Sequence, residues 1–208
     1  MKYFVAVAGN IGAGKSSLAG LLAHKLGWEA FFEPVEENPY LADFYTDMPR
    51  WGFHSQVFFL ARRLRQYRSN AATHGLLDRP GSVIQDRSVY EDAEVFACNL
   101  YRQGHMSDRD WASYHDLYEA VVTLLPPPNL IVYLQASVST LVRRINQRGR
   151  MLEQTISPSY LAQLNDLYEQ WIAGFNLCPV LTIATDDLDF TREPAHLDLI
   201  ARRITDRL

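Results

Sequence analysis

Short, almost wholly apolar runs recur along the chain, separated by longer stretches whose apolar residues fall at helical spacing. The first run, Tyr3-Phe4-Val5-Ala6-Val7-Ala8, is rich in β-branched and aromatic residues and predicts a buried strand. Ser17 to Leu26 follows with helical spacing and stops at Gly27. Further strands are predicted over 28–33, 82–86, 130–134 and 180–183, and helices over 52–73, 91–102, 108–125, 137–148, 158–174 and 193–206. Pro126-Pro127-Pro128 ends one helix before the fourth strand, because proline lacks the N–H a helix needs. Strands this uniformly apolar suit a sheet covered on both faces. The alternation predicts an α/β fold, a doubly wound five-stranded parallel sheet with helices on both faces and ligands at the carboxyl ends of its strands. Residues 1–208 read as one domain, without internal repeat, linker or low-complexity segment.

Between the first strand and helix lies Gly9-Asn10-Ile11-Gly12-Ala13-Gly14-Lys15-Ser16, which fits G-x-x-x-x-G-K-[ST] in the strand–loop–helix setting that motif requires. Glycines let backbone N–H groups converge on phosphate oxygens, and the helix N-terminus adds its dipole. Lys15 is expected to reach the β- and γ-phosphates, Ser16 to ligate Mg²⁺, and Ser17 to follow in the same phosphate-binding stretch. A nucleoside triphosphate is the predicted ligand.

Composition narrows the partners. Hydrophobic residues make up 48% and charged residues 21%, ordinary for a globular domain. A net charge of −4 and a pI of about 5.8 argue against nucleic acid held by a general basic field. The two cysteines, Cys98 and Cys178, have no metal-ligand spacing and read as free thiols in a reducing compartment. No apolar stretch approaches membrane-spanning length, and the short N-terminal run leads into the glycine loop rather than a cleavage site. A cytoplasmic protein without membrane or nucleic-acid partners is expected.

Several polar residues fall where a phosphate-loop enzyme needs them. Glu33 ends the second predicted strand, next to Pro34, and is placed to take the proton of an attacking hydroxyl; the alternative is a surface or capping carboxylate in the cluster Glu33, Glu36, Glu37. Asp86 ends an apolar run, the pattern that holds Mg²⁺, and Arg87 adjoins it; the alternative is a simple Asp–Arg pair. Arg143, Arg144, Arg148 and Arg150 crowd one segment with a bend at Gly149, which predicts a helical arginine-rich lid over about 143–154, against a solvated basic face. Gln56 and Arg63 share a helix face and could read a planar base, or could be polar residues of a core helix. Asp78-Arg79-Pro80-Gly81 fits a D-x-x-G switch pattern, but it follows no apolar strand and no N-K-x-D motif occurs, so a turn is expected.

Taken together these segments resemble the deoxyribonucleoside kinase family over essentially the whole chain, and within it the bacterial deoxyadenosine/deoxyguanosine kinase branch. Glu33-Pro34-Val35-Glu36 resembles the family segment whose first Glu activates the nucleoside 5′-hydroxyl. Asp86-Arg87-Ser88-Val89-Tyr90 resembles the motif whose acid serves Mg²⁺ and whose Arg lies by the 5′-hydroxyl and phosphate. Arg148-Gly149-Arg150 with Glu153-Gln154 resembles the lid. The resemblance implies sugar contacts from Glu153 and Tyr45, base pairing by Gln56, an aromatic floor from Phe96, and a donor-adenine loop at Asp189-Phe190. Arg63 and Asp92 occupy the positions of an Arg–Asp pair found in members that take deoxycytidine or purine deoxynucleosides, and Ser55 stands where several animal members have Phe. The fold and function implied are a P-loop kinase, a homodimer in the family's manner, moving the γ-phosphoryl of ATP with Mg²⁺ to the 5′-hydroxyl of deoxyadenosine or deoxyguanosine in nucleotide salvage. Rival readings are a deoxycytidine-preferring or broad deoxynucleoside kinase, a nucleoside monophosphate kinase, and a non-enzymatic nucleotide switch. A carboxylate at Glu33 would repel an incoming phosphate, which weighs against the monophosphate kinase.

Overall fold

The computed structural model describes residues 1–33, 35–68, 75–153 and 155–208, apart from the side chains of Glu36 and Leu152. Pro34, Gln154 and the end of the helix expected over 52–73 lie outside the described residues. Five strands, β1 (Phe4–Gly9), β2 (Glu29–Phe31), β3 (Val83–Asp86), β4 (Leu130–Gln135) and β5 (Val180–Ala184), form one sheet in the order β2-β3-β1-β4-β5. Every pairing is parallel, with Val7 opposite Asp86 and Val132. This is the doubly wound α/β sheet expected.

Period-two alternation assigns the sheet's two faces. Phe4, Ala6, Ala8, Ile131 and Tyr133 pack with α3 (Met48–Tyr67), α6 (Asp108–Thr123) and α8 (Pro158–Gly174). Val5, Val7, Leu130, Val132 and Leu134 pack with α1 (Lys15–Leu26), α7 (Val138–Arg148) and α9 (Pro194–Thr205). The central strands β1 and β3 are buried at every position. The two edge strands are not: β5 exposes alternate residues, and β2 is only partly covered. The expectation of strands covered on both faces therefore holds for the centre alone.

Local chemistry fixes the helix ends. Ser137 and Ser157 accept from the backbone N–H of Thr140 and Tyr160 and start α7 and α8, and Gly149, at φ 71°, stops α7. Three boundaries depart from expectation. The second strand ends at Phe31, whose partner on β3 is Gln85, so Glu33 lies beyond it. A short helix α2 (Leu41–Thr46) precedes α3. The helix expected over 91–102 begins at Val89 as α4 (Val89–Glu91), passes through a π-helical segment at Asp92–Ala97, and resumes as α5 (Cys98–Arg102). Cys98 N–H bonds to Ala93 O, the i to i−5 link of a π-turn. In Asp78-Arg79-Pro80-Gly81, Asp78 closes the short 3₁₀ segment Leu76–Asp78 and Pro80-Gly81 form a bend, in keeping with the turn expected. Among the described residues no helix is long and apolar enough to cross a membrane.

Candidate active site

The phosphate loop is the turn from β1 into α1. Gly14 takes φ 98° at the helix entrance, and a Cβ there would meet the Phe190 ring at 2.9 Å, so only glycine fits without strain. The first-turn N–H groups of α1 have no intrahelical partners and open onto the loop. Asn10 braces it: its Nδ2 donates to Leu161 O (2.9 Å) and Asn165 Oδ1 (2.7 Å), and its Oδ1 accepts from Ile11 N. Lys15 Nζ donates to Asn10 O at 2.9 Å. Burial, reinforced by the charge of Arg87, lowers the Lys15 ammonium to a pKa of about 8 despite the neighbouring carboxylates.

A cavity of about 350 Å³ runs from Gly12, Lys15 and Ser16 past Glu33, Asp86 and Arg87 to Gln56, Asp92 and Phe96. Tyr45, Arg148, Arg150 and Glu153 border its mouth, and Phe32, Phe44, Phe59 and Tyr160 supply apolar wall. Most of the residues expected to bind ATP and nucleoside therefore meet in one place, although Glu33 and Gln56 come from different elements and Asp92 and Phe96 from the π segment.

Glu33 accepts from Arg63 Nη2 at 3.1 Å through Oε1 and from Arg87 Nε at 3.0 Å through Oε2. Burial works to raise its pKa, but Arg87, Arg63 and Lys15 outweigh it and hold the carboxyl below its ordinary value. Arg87 has a positive φ of 68°, the only non-glycine residue so placed among those described. Its N–H bonds to Val7 O at 2.9 Å, its Nη1 donates to Tyr168 Oη at 3.1 Å, and its guanidinium sits 4.2 Å from the Phe96 ring centroid. Those contacts hold the strained turn that aims the guanidinium at Glu33.

The Arg63–Asp92 pair is present, but Arg63 does not read a base edge. Its five N–H groups make five bonds: two to Asp92, one to Glu33, and one each to Asp86 O and Arg87 O. It is 2% exposed and does not border the cavity. Asp92 does border it, and burial pushes its carboxyl up to a pKa of about 6 against the pull of Arg63. Of the residues expected at the base edge, Gln56 and Asp92 line the cavity.

Ser16 Oγ donates to Asp86 Oδ2 at 2.5 Å, and Asp86 Oδ1 is buried without a partner. One buried carboxylate oxygen awaiting a ligand beside the loop hydroxyl fits Mg²⁺, which takes one or two protein oxygens and completes its shell with phosphates and water. No cluster of three or more His, Cys, Asp or Glu able to hold a metal occurs among the described residues, so a protein-only cage is not built here.

The lid arginines divide. Arg148 and Arg150 both pair with Glu153, the latter at 3.4 Å. Arg144 was expected to bind phosphate, but it bonds to Ala13 O, Thr185 Oγ1 and O, and Leu188 O at 2.6 to 3.3 Å, fastening the phosphate loop to the segment after β5. Gly14, Ser17, Arg143, Arg144 and the 186–192 segment border a second cavity of about 650 Å³ on the other side of the loop, where Asp189-Phe190 was expected to receive the donor base. Two residues at the site's base had gone unread. Glu91 and Tyr168 hydrogen-bond to each other and to Gly9. They lie 77 residues apart; Glu91 ends the capping box Ser88-Val89-Tyr90-Glu91, a signal for the helix start but not for the contact with Tyr168.

A family model described as deoxynucleoside kinase matches residues 5–208. The deoxyadenosine/deoxycytidine kinase of Bacillus subtilis is 39% identical, over 96% of this chain and 90% of its own length. The deoxyguanosine kinase of the same organism is 35% identical, over 97% and 95%. Among solved structures, a deoxyadenosine kinase from M. mycoides with dCMP and a flexible dCDP bound superposes with a TM-score of 0.83 at 31% identity, covering 98% of each chain. The same kinase with dATP bound gives 0.81 at 31%, covering 98% of this chain and 99% of that one.

Proposed function

The chain belongs to the deoxynucleoside kinase family and is an ATP-dependent deoxyribonucleoside kinase, and we propose that the cavity beside Glu33 takes a purine deoxyribonucleoside as acceptor. The observation that carries this reading is the pairing of Glu33 with Arg63 and Arg87 in the same cavity as Lys15, Ser16 and Asp86. A carboxylate at that point suits a neutral 5′-hydroxyl and would repel a phosphorylated acceptor.

Each Glu33 oxygen receives one guanidinium N–H and keeps a free lone pair for the 5′-hydroxyl. Glu33 orients that hydroxyl and takes its proton as the oxygen bonds to phosphorus. Arg87, fixed between Glu33 and Tyr168, faces the charge that spreads over the transferring group. Lys15 leaves Asn10 O to meet the β- and γ-phosphates, while the first turn of α1 receives their oxygens. Asp86 and Ser16 are the residues that would hold Mg²⁺, which when bound would supply charge neutralisation to the donor phosphates. Arg148 and Arg150 exchange Glu153 for phosphate oxygens as the lid engages, and Glu153 with Tyr45 then faces the sugar 3′-hydroxyl. Most of the barrier is removed by positioning and charge, with no covalent enzyme intermediate.

Gln56 and Asp92 read the base above Phe96, with Ser55 leaving room beside it. Relatives that act on deoxyadenosine and deoxyguanosine support the purine assignment. Deoxycytidine is a second acceptor, favoured by the B. subtilis relative that takes it alongside deoxyadenosine. The whole chain acts as one kinase domain, and we place it in the cytoplasm as a homodimer on the pattern of the family. The test is kcat/KM of the purified protein with ATP and each of the four natural deoxyribonucleosides. Deoxyadenosine or deoxyguanosine leads and thymidine trails on this account; thymidine leading overturns it.

A further inference from the structure

We propose that Glu91 is a positioning residue for phosphoryl transfer, holding the phosphate loop in register with the Asp86-Arg87 turn. It rests on the kinase reading but assigns a role to a residue that touches neither substrate nor cavity.

Glu91 is 0% exposed, and a carboxylate that deeply buried is costly unless donors surround it. It has them from two separate motifs. Oε2 accepts from Ser88 N–H at 2.7 Å, the ordinary duty of an acid at the third position of a helix. Oε1 does something else: it accepts from Gly9 N–H at 3.2 Å and lies 2.7 Å from Tyr168 Oη and 3.7 Å from Arg87 Nη1. Tyr168 Oη is also 2.7 Å from Gly9 O. Gly9 N–H is thus held by Glu91 of α4, and the single proton of the Tyr168 hydroxyl on α8 is shared between that carboxylate and Gly9 O.

Gly9 is the last residue of β1, in register with Leu134 of β4, and has no partner residue on β3. It sits at φ 147°, where a Cβ would meet Leu134 O at 2.8 Å, so the chain leaves β1 through a conformation only glycine adopts freely. On the neighbouring strand, Arg87 turns away through its own positive φ directly before Ser88. β1 and β3 are in register up to Val7 and Asp86, and beyond that point backbone pairing ends with Arg87 N–H on Val7 O. The Glu91 carboxylate takes over there. One oxygen holds the strand that becomes the triphosphate cradle, and the other holds the turn that carries Asp86 and Arg87. A helix cap alone needs one oxygen, and glutamine would serve it equally.

Glu91→Gln separates the two duties. Its amide oxygen can still cap Ser88 N–H, but the amide NH₂ then faces Gly9 N–H, donor against donor. Tyr168→Phe removes one hydroxyl from the same junction and leaves the cap intact. Both variants should raise the KM and the calorimetric Kd for ATP several-fold and lower kcat by up to about 10²-fold, the cost of a small misplacement of reacting groups. Nucleoside KM should stay near wild type, and the double variant should lose less than the sum of the singles. A merely structural pair would lower the melting temperature and leave ATP affinity and kcat unchanged in the folded protein, which would overturn the proposal. If Glu91→Gln does not fold, Tyr168→Phe decides through its ATP Kd, because the Arg87 contact it also removes acts on kcat: an unchanged Kd overturns the proposal. Nucleoside-dependent ATP use by the wild type is the control: its absence refutes the kinase reading, whereas its presence with unaltered variants refutes only the role of Glu91.

Discussion

Arg63 binds Asp92 through Nε at 3.2 Å and Nη2 at 3.3 Å, while the same guanidinium holds Glu33 and the carbonyls of Asp86 and Arg87. The acid we propose to face the base is thus joined through one side chain to the acid we propose to face the 5′-hydroxyl.

Arg63→Ala should damage catalysis as well as selectivity, because it strands two buried carboxylates at once. Removing one partner of a buried pair typically costs about 3–5 kcal/mol. We expect lower kcat and a lower melting temperature. Asp92→Ala should instead raise nucleoside KM and flatten base preference. Replacing both with small apolar residues should raise the thymidine to deoxyadenosine ratio of kcat/KM. A ratio unmoved by the double change contradicts a selective role for the pair.

Glu33→Gln should lower turnover by about 10²–10⁴-fold, the usual worth of general-base help, with ATP affinity nearly kept. Gln retains the shape but offers no proton acceptor and sets an NH₂ against Arg63 or Arg87. Steady-state kinetics beside ATP calorimetry measure this, and near-normal turnover removes Glu33 from the chemistry.

ATP binding should weaken as pH rises through about 8. Burial first, and then Arg87, lowers the Lys15 pKa to about 8, so the free enzyme has lost that proton above it. The triphosphate favours the charged ammonium and draws the pKa back up, so binding above pH 8 takes up a proton. Calorimetry in buffers of different ionisation enthalpy should show proton uptake at about pH 9 and little at pH 7. Equal uptake at both means that Lys15 binds uncharged or does not titrate.

Arg148→Ala should lower kcat more than it raises KM, since its cation is needed most as charge develops; an arginine in that role is worth up to about 10³–10⁵-fold. Glu153→Ala should act on nucleoside KM, having lost its sugar contact. An unchanged kcat in Arg148→Ala would make the segment a solvated helix face.

Elements with chemical punctuation were legible in the sequence. The helical spacing over 137–148 and 158–174 placed α7 and α8 almost to the residue, and the structure shows their ends fixed by Ser137, Gly149 and Ser157. The π segment left no signal, because Asp92–Ala97 differs from an α-helix by one shifted hydrogen bond, yet it carries Asp92 and Phe96 in the cavity wall. Local motifs disclosed Lys15, Ser16, Asp86 and Arg87. Side-chain directions did not follow from them: Arg144 turned to backbone carbonyls and Arg63 sank below the cavity floor. Glu91 and Tyr168 were invisible because their meeting depends on α8 folding back across β1, a contact that helical spacing alone cannot announce.

The central claim is transfer of the ATP γ-phosphoryl to a free 5′-hydroxyl. Incubating the wild-type protein with γ-labelled ATP, Mg²⁺ and deoxyadenosine, then separating products by mass spectrometry, tests it directly. The account predicts labelled deoxyadenosine 5′-monophosphate and ADP in equal amounts, with no ATP loss when nucleoside is omitted. Label released only as inorganic phosphate, or transferred only when the acceptor is already a monophosphate, would contradict it.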